Sequence, residues 1–245
     1  MAGYGLFAQV YDRLTENVPY DEIAEYYRAK IEKFGTGGNF LADIGCGTGN
    51  LTARLAALGF DVIGADASPD MLSAAMNKPH DGVQYICQSM TELELYGEAD
   101  IIVSTLDSVN HLGSPAEIQE CFRAAALNLR KGGLFLFDVN TIYKHEKILA
   151  DNVFVYDLDD VYCVWQNEFC PEDNGVDISL NIFAEAEDGL YERMEESFRE
   201  IAVTQQEFAS MLEKAGFELL EVREYLTDKE PAEDSDKLMF CARKK

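Results

Sequence analysis

The amino-acid sequence predicts an α/β fold in which a mostly parallel sheet is covered by helices on both faces. Up to about residue 140, short apolar segments alternate with segments of helical periodicity, an order typical of parallel strands joined by helices. A glycine-rich turn follows the first of these strands. From 151 to 201 the helical period disappears and hairpin turn signals replace it, which indicates an antiparallel β insertion.

Seven segments have the apolar character of buried strands. Five belong to the alternating region and two close the chain, and the segments are 40–44, 61–66, 83–88, 100–105, 134–140, 217–225 and 238–242. Within the insertion, three more strands are predicted at 161–169, 176–184 and 190–203, with turns at Asn174-Gly175 and Asp188-Gly189.

Capping residues mark where the predicted helices begin and end. The first helix spans 21–34, with Asp21 as its N-cap, and residues 1–20 show no clear periodicity. Lys131-Gly132-Gly133 predicts a turn before the fifth strand. The remaining helix starts lie after the glycine-rich turn, at Ser68-Pro69, and at the capping boxes that begin with Ser114 and Thr204.

The composition excludes some partners. The 245-residue chain has a net charge of −25, and such a surface repels the phosphates of nucleic acids. We find no signal-peptide pattern and no apolar run of membrane-spanning length, so we expect a cytoplasmic protein without a membrane partner. The six cysteines show no zinc-type spacing, and we expect no bound metal.

The glycine-rich turn carries the strongest functional signal. It reads Asp43-Ile44-Gly45-Cys46-Gly47-Thr48-Gly49-Asn50 and joins a strand to a helix, where a ligand can approach bare backbone. A phosphate-binding P-loop requires a lysine that is absent here, and the third glycine comes one residue too early for a dinucleotide fingerprint. An acidic residue followed by G-x-G-x-G is the usual form of an S-adenosylmethionine loop.

Asp66 ends the second predicted strand, beside this turn. A carboxylate there can accept hydrogen bonds from both hydroxyls of a ribose. The same group would serve NAD equally well, or it could be a surface or capping acid. Asp43 could bind the ligand or hold the turn.

Over nearly its whole length the chain resembles class I S-adenosylmethionine-dependent methyltransferases. The segment 41–51 resembles the first motif of that family, and Gly64-Ala65-Asp66-Ala67-Ser68 with Met71-Leu72 resembles the second. The closing pair of strands matches the terminal antiparallel hairpin of the family. The resemblance implies a Rossmann-like, seven-stranded, mostly parallel sheet and S-adenosyl-L-methionine as cofactor.

A narrower resemblance involves Tyr11-Asp12-Arg13-Leu14, the segment 106–110 and the meander. These features are similar to an uncharacterised bacterial subgroup, to the sugar N,N-dimethyltransferases and to glycine N-methyltransferase-like enzymes. The match implies that His111 faces the acceptor, where it would be a catalytic base or would bind the acceptor; the alternative is that His111 is a structural cap of the next helix. Many family members have Asp after the third strand, where this chain has Ser89. A contact to the adenine ring at this place would therefore have to come from the backbone amide of Met90. The implied cofactor-binding residues are Tyr11, Asp43, Gly45, Cys46, Gly47, Thr48, Gly49, Asp66, Ala67, Met71, Ser89, Met90 and Leu106.

We therefore expect methyl transfer to a small-molecule acceptor, either an amine or a hydroxyl or carboxyl group that needs no metal. Residues 1–140 and 204–245 would form the methyltransferase domain, and 141–203 an inserted meander that covers the acceptor side. The protein would be a monomer or a homodimer. A non-catalytic S-adenosylmethionine-binding module acting through a protein partner, and an NAD-dependent oxidoreductase, are the alternatives.

Overall fold

The computed structural model describes residues 4–78, 82–186 and 189–245. Within these residues the strands are Phe40–Ile44 (β1), Asp61–Asp66 (β2), Gln84–Cys87 (β3), Ala99–Ser104 (β4), Leu129–Asn140 (β5), Val153–Asp157 (β6), Val161–Cys170 (β7), Gly175–Glu185 (β8), Tyr191–Ile201 (β9), Phe217–Glu224 (β10) and Lys237–Lys244 (β11). The α-helices are Tyr4–Leu14 (α1), Tyr20–Phe34 (α2), Asn50–Ala57 (α3), Pro69–Met76 (α4), Pro115–Asn128 (α5) and Gln205–Lys214 (α6). A 3₁₀ helix covers Ser108–His111 and a π-helical segment covers Lys144–Leu149.

Two sheets form the fold, and they confirm the predicted class. The seven-stranded sheet has the order β10-β11-β5-β4-β1-β2-β3, in which β1 to β5 pair in parallel and β11 is antiparallel to both β5 and β10. The second sheet is antiparallel, with the order β6-β7-β8-β9. The carboxyl ends of β1, β2, β4 and β5 therefore meet at one edge of the larger sheet, where ligands bind in open α/β folds.

Helices cover the large sheet on both faces. The α5 and α6 helices bury Phe122 and Phe208 in one apolar cluster, and α2 and α3 bury Tyr27 and Leu55 in the other. A third cluster joins α1 and α4 to the antiparallel sheet. The smaller sheet therefore packs against α1 and α4, and Ile201 at the end of β9 joins the first cluster on the larger sheet. None of the described helices is long and apolar enough to span a membrane.

Several predicted boundaries were wrong. Residues 1–20 contain α1, which the sequence did not reveal, and β6 is a fourth strand of the meander. The predicted turn at Gly132-Gly133 is an irregularity inside β5, where the pairing with β4 shifts register. Asp21 is not an N-cap, since α2 begins one residue earlier and the Asp21 carboxylate binds Arg54.

The other predicted N-caps are confirmed, but the capping box predicted at Ser114 is incomplete, because the Glu117 carboxylate accepts from the N–H of Gly113 and not from that of Ser114. The Ser68 and Ser114 hydroxyls accept backbone N–H bonds from Met71 and Glu117, respectively, and Thr204 forms a full capping box. Asn174 adopts a left-handed φ of 55° at the β7–β8 turn. Asp188, of the second predicted hairpin turn, lies outside the described residues.

Candidate functional site

The glycine-rich turn forms the first wall of a cleft at the carboxyl edge of the sheet. Gly45, Gly47 and Gly49 have φ values of 73°, 53° and 74°, a region that glycine enters without steric cost. The N–H of Gly47 donates to the Asp66 carboxylate at 2.8 Å, and the N–H of Ser68 donates to its other oxygen at 2.8 Å. Asp66 therefore holds the turn while each of its oxygens keeps a lone pair free.

The glycines of the turn serve different purposes. A Cβ on Gly45 would lie 2.8 Å from Ser108 Cβ and 2.9 Å from Met90 Cε, so tight packing excludes a side chain there. A Cβ on Gly47 would meet no described atom within 4 Å. Gly47 thus presents bare backbone to open space, as a close-lying ligand requires.

Tyr85, on β3, is a neighbour of the turn that sequence reasoning missed. Its ring lies against Gly64, where a Cβ would come within 2.7 Å, and its hydroxyl lies against Gly49. These two glycines therefore make room for one aromatic side chain.

Asp43 lies beneath the turn and is almost completely buried. One of its oxygens accepts a 2.6 Å hydrogen bond from the Thr52 hydroxyl, and the other, Oδ1, has no partner among the described residues. Burial raises the pKa of Asp43 to about 7; the Thr52 bond opposes this increase, and the charge of Asp66 adds to it. The expected cofactor residue is therefore also a support of the turn.

Helix α1 is tied to the turn by a polar cluster. The Asp12 carboxylate accepts hydrogen bonds from the Thr48 hydroxyl at 2.6 Å and from the Asn50 amide at 2.8 Å. Lys78 forms an ion pair with Asp12 at 2.5 Å and donates to the Thr48 carbonyl at 2.8 Å. Asp12 was part of the resemblance, but no role followed for it from the sequence, because α1 itself was not predicted.

Tyr11 neighbours Asp12 on α1 and packs edge-on against Phe7, with ring centroids 5.7 Å apart. Burial is the main cause that raises the pKa of Tyr11, and nearby Tyr20 and Asp107 contribute. Its phenol therefore keeps its proton at physiological pH.

The loop after β4 forms the opposite wall. Leu106 and Asp107 both have left-handed backbones, with φ values of 54° and 57°. Their N–H groups donate to the fully buried Asp138 carboxylate, each at 2.9 Å, and Tyr27 donates to it at 3.0 Å. Asp138 thus holds a turn that side-chain-bearing residues seldom adopt.

Asp107 is an anion held by lysines. Lys237 forms an ion pair with one oxygen at 2.6 Å, and the Asn140 amide donates to the other at 3.0 Å. Burial by itself would raise the pKa of Asp107, but Lys237 and Lys144 outweigh it and hold that pKa well below its usual range. The charge of Asp107 is therefore already neutralised.

His111 is at the end of the 3₁₀ helix with 42% of its side chain exposed. Its ring packs on Phe198 at 5.0 Å between centroids, and its Nε2 lies 3.8 Å from Glu200 Oε1. Glu200, on β9, is 3% exposed and accepts a 2.8 Å bond from Asn140. Sequence reasoning missed Glu200 because the meander residues carry no motif.

A second histidine lies on the other side of Glu200. His145 is fully buried, its Nδ1 is 2.7 Å from the Asn174 carbonyl oxygen, and its Nε2 is 3.3 Å from Glu200 Oε2. Asn110, by contrast, is structural: its buried amide bonds to the backbone of Asn140 and to the Ile201 carbonyl.

Asp107, His111 and Glu200 each place one possible metal-ligand atom within 4.8 Å of the others. This grouping was not visible in the sequence. The Asn140 amide nitrogen, however, lies 3.0 Å from Asp107 Oδ2 and 2.8 Å from Glu200 Oε2, so it bridges the two carboxylates.

The remaining expected residues lie around the same cleft or below it. Ala67 is exposed at the end of β2, and Ser89 bonds to the Thr91 hydroxyl at 2.9 Å. Cys46 is half-buried with its sulfur beside Gly64. Met71 packs into the third apolar cluster with α1.

Comparisons with known proteins agree with this architecture. A family model described as a methyltransferase domain matches residues 41–133. A protein of Geobacillus sp. (strain WCH70), described as a candidate methyltransferase, is 34% identical over 98% of this chain and 99% of its own length. A similarly described protein of Bacillus subtilis (strain 168) is 31% identical over 98% of this chain and 97% of its own.

Solved structures show the same fold. The crystal structure of an S-adenosylmethionine-dependent methyltransferase from Clostridium acetobutylicum superposes with a TM-score of 0.87 at 27% identity, covering 98% of both chains. DesVI of Streptomyces venezuelae has a TM-score of 0.80 at 20% identity, with 98% of both chains covered. The NAD-dependent oxidoreductase alternative is therefore wrong, and nothing supports a non-catalytic module. From its full-length relatives and its fold, the chain belongs to the S-adenosylmethionine-dependent methyltransferases.

Proposed function

We propose that this enzyme methylates the amine nitrogen of a small molecule and that His111 is the base that deprotonates it. The observation that carries the proposal is the exposed His111 ring beside the buried Glu200 carboxylate, with 3.8 Å between Nε2 and Oε1. The cofactor would lie between the glycine turn and the loop after β4. The inserted segment 141–203 would cover the acceptor, since Phe198 and Glu200 belong to it.

The residues of the turn fit S-adenosylmethionine. Gly47 leaves open space above its backbone, and Asp66 has lone pairs free for ribose hydroxyls. The unpartnered oxygen of Asp43 offers an acceptor for a cationic end of the cofactor. When bound, S-adenosylmethionine would supply an electrophilic methyl group on a sulfonium, with adenosylhomocysteine as the leaving group.

His111 would prepare the nucleophile. An aliphatic amine is an ammonium ion at neutral pH and has no lone pair until a base removes a proton. A proton on His111 Nε2 faces the Glu200 carboxylate, which leaves Nδ1 with the lone pair that accepts the acceptor's proton. Glu200 then stabilises the imidazolium by its charge, and the exposed ring returns the proton to water.

Structural neighbours support an amine acceptor. CalS10, an amino pentose methyltransferase solved with bound cofactor, superposes with a TM-score of 0.77 at 20% identity. The sugar N-methyltransferase KedS8 superposes with a TM-score of 0.79 at 20% identity. A hydroxyl acceptor is the second candidate, because a ubiquinone biosynthesis O-methyltransferase of Caulobacter is 33% identical over 52% of this chain.

The test is a screen for adenosylhomocysteine release with small amines, phenols and carboxylic acids. We expect turnover with an amine, and a His111→Ala variant that loses about 10²–10⁴-fold in kcat. Cofactor affinity of that variant, measured by calorimetry, should not change, whereas Asp66→Ala should weaken it. Turnover confined to phenols would overturn the amine assignment, and full turnover by His111→Ala would overturn the base.

A further inference from the structure

A second cleft lies between α2 and β10, and none of the residues that line it belongs to the site described above. Its volume is about 300 Å³, which is at the lower end of the range for small-molecule sites. Helical spacing places Tyr26, Lys30 and Lys33 on one face of α2, and strand alternation places Glu221 and Arg223 on one face of β10. Three cationic side chains therefore converge on this cleft.

Glu221 lies at the centre of these cations, with only 4% of its side chain exposed. Its Oε1 accepts a hydrogen bond from Lys30 and its Oε2 accepts one from Lys33, each at 2.6 Å. Burial by itself would raise the pKa of Glu221, but the two lysines outweigh it and hold that pKa below its usual range. One buried negative charge thus faces the three positive charges of Lys30, Lys33 and Arg223, in a protein whose net charge is −25.

Two carboxylates of the loop after β10 supply the remaining negative charge. Asp228 accepts from Lys30 at 2.7 Å with 88% of its side chain exposed, and Glu230 accepts from Arg223 with 78% of its side chain exposed. An ion pair with a solvent-exposed partner is weak. An anion that enters the cleft can therefore replace either of these carboxylates.

Several N–H groups at the cleft have no oxygen acceptor among the described residues. The Lys33 ammonium has three N–H groups and uses one of them for Glu221. Arg223 has five, of which Nη1 donates to the Val222 carbonyl and to Glu230, whereas Nη2 lies 3.4 Å from Glu221 Oε2, longer than an N–H···O bond. Free donors of two side chains thus line the same cleft.

We propose that the cleft between α2 and β10 is a second binding site, which takes a small phosphate-bearing anion. The Arg223 guanidinium presents N–H groups in a planar fork that suits two oxygens of one phosphate, and the Lys33 ammonium supplies a further donor. Glu221 opposes such an anion only weakly, because both of its oxygens already accept lysine N–H bonds. The ring of Tyr26 offers an apolar side for the organic part of a phosphate monoester. This site does not depend on the reaction proposed above.

Amide NMR titrations with inorganic phosphate and with glycerol phosphate, at constant ionic strength, test the site. We expect saturable shifts in α2 and β10 with both anions, and tighter binding of glycerol phosphate would show that the organic part contacts the cleft. Lys33→Gln and Arg223→Gln should each weaken binding by about tenfold. Asp228→Asn should strengthen binding, because it removes a competing carboxylate.

Lys147→Gln is the matched control, since Lys147 is about as exposed as Lys33 and is also paired with a carboxylate, that of Glu146. It should leave the affinity unchanged. The absence of saturable shifts in α2 and β10, or wild-type affinity in both Lys33→Gln and Arg223→Gln, would overturn the proposal. Saturating adenosylhomocysteine should not displace the anion; displacement would place the anion in the methyl donor's cleft and would also overturn it.

Discussion

Replacing Asp43 by Asn should change how stability depends on pH. The pKa of Asp43 is raised to about 7 by burial, so the folded protein binds its proton more tightly than the unfolded chain, whose Asp pKa is about 3.9. The stabilising effect of that proton is complete below the unfolded pKa and is lost as the pH rises through the folded pKa. A tenfold difference in proton affinity between the two states corresponds to about 1.4 kcal/mol, so the wild type should lose roughly 2–3 kcal/mol from about pH 5 to about pH 8.

Urea unfolding across that pH range measures the effect. The difference in unfolding free energy between the wild type and Asp43→Asn isolates the contribution of Asp43, because the other titrating groups are shared by both proteins. Thr52 can still donate to the amide oxygen of the variant. Asp61→Asn, at an exposed position on β2, is the control and should leave the pH dependence unchanged. Parallel curves for the wild type and Asp43→Asn would refute the reasoning.

Three further substitutions, two of them paired with a control variant, test the residues around the cleft. Gly47→Ala and Gly59→Ala should each cost about 1–2 kcal/mol in thermal unfolding because both glycines have a positive φ, but only the first should weaken cofactor binding in calorimetry. Asp12→Ala should also weaken cofactor binding, by about tenfold, since it releases α1 from the turn, whereas Glu16→Ala at an exposed site should not. Asp138→Asn should destabilise the fold by about 2–4 kcal/mol in urea, because an amide group cannot accept all the bonds that the carboxylate accepts.

The larger sheet could be predicted because its signals are local. Strands β1, β2, β4 and β5 are largely apolar runs with most of their residues buried, and capping residues such as Ser68 and Thr204 mark the helix starts. The glycine turn is a contiguous segment whose backbone angles require its residue types. Such features can be recognised without knowing what packs against them.

The elements that were missed depend on distant contacts. Helix α1 has no capping signal, and it is held by α4, the meander and the Asp12 contacts. Strand β6 is an edge strand with exposed Val153 and Val155, and its β-branched and aromatic residues are a strand signal that the prediction overlooked. The irregular start of β5 at Gly132 was predicted as a turn because a positive φ occurs in turns and in bulges alike.

The difference between local signals and distant contacts also explains why the sequence reveals more about the cofactor than about the acceptor. The cofactor signal comes from one turn and one carboxylate at the ends of two neighbouring strands, Asp43 on β1 and Asp66 on β2. On the acceptor side, His111 lies beside Glu200, and Glu200 contacts Asn140 and His145. Glu200, Asn140 and His145 come from three other segments of the chain. Asn110 joins two of these segments through their backbones, so the position of His111 is set by the folding of the meander onto the sheet. The chemical role of His111 can therefore be assigned only when its buried neighbours are known. This is why the sequence predicted the methyl donor but left the acceptor open.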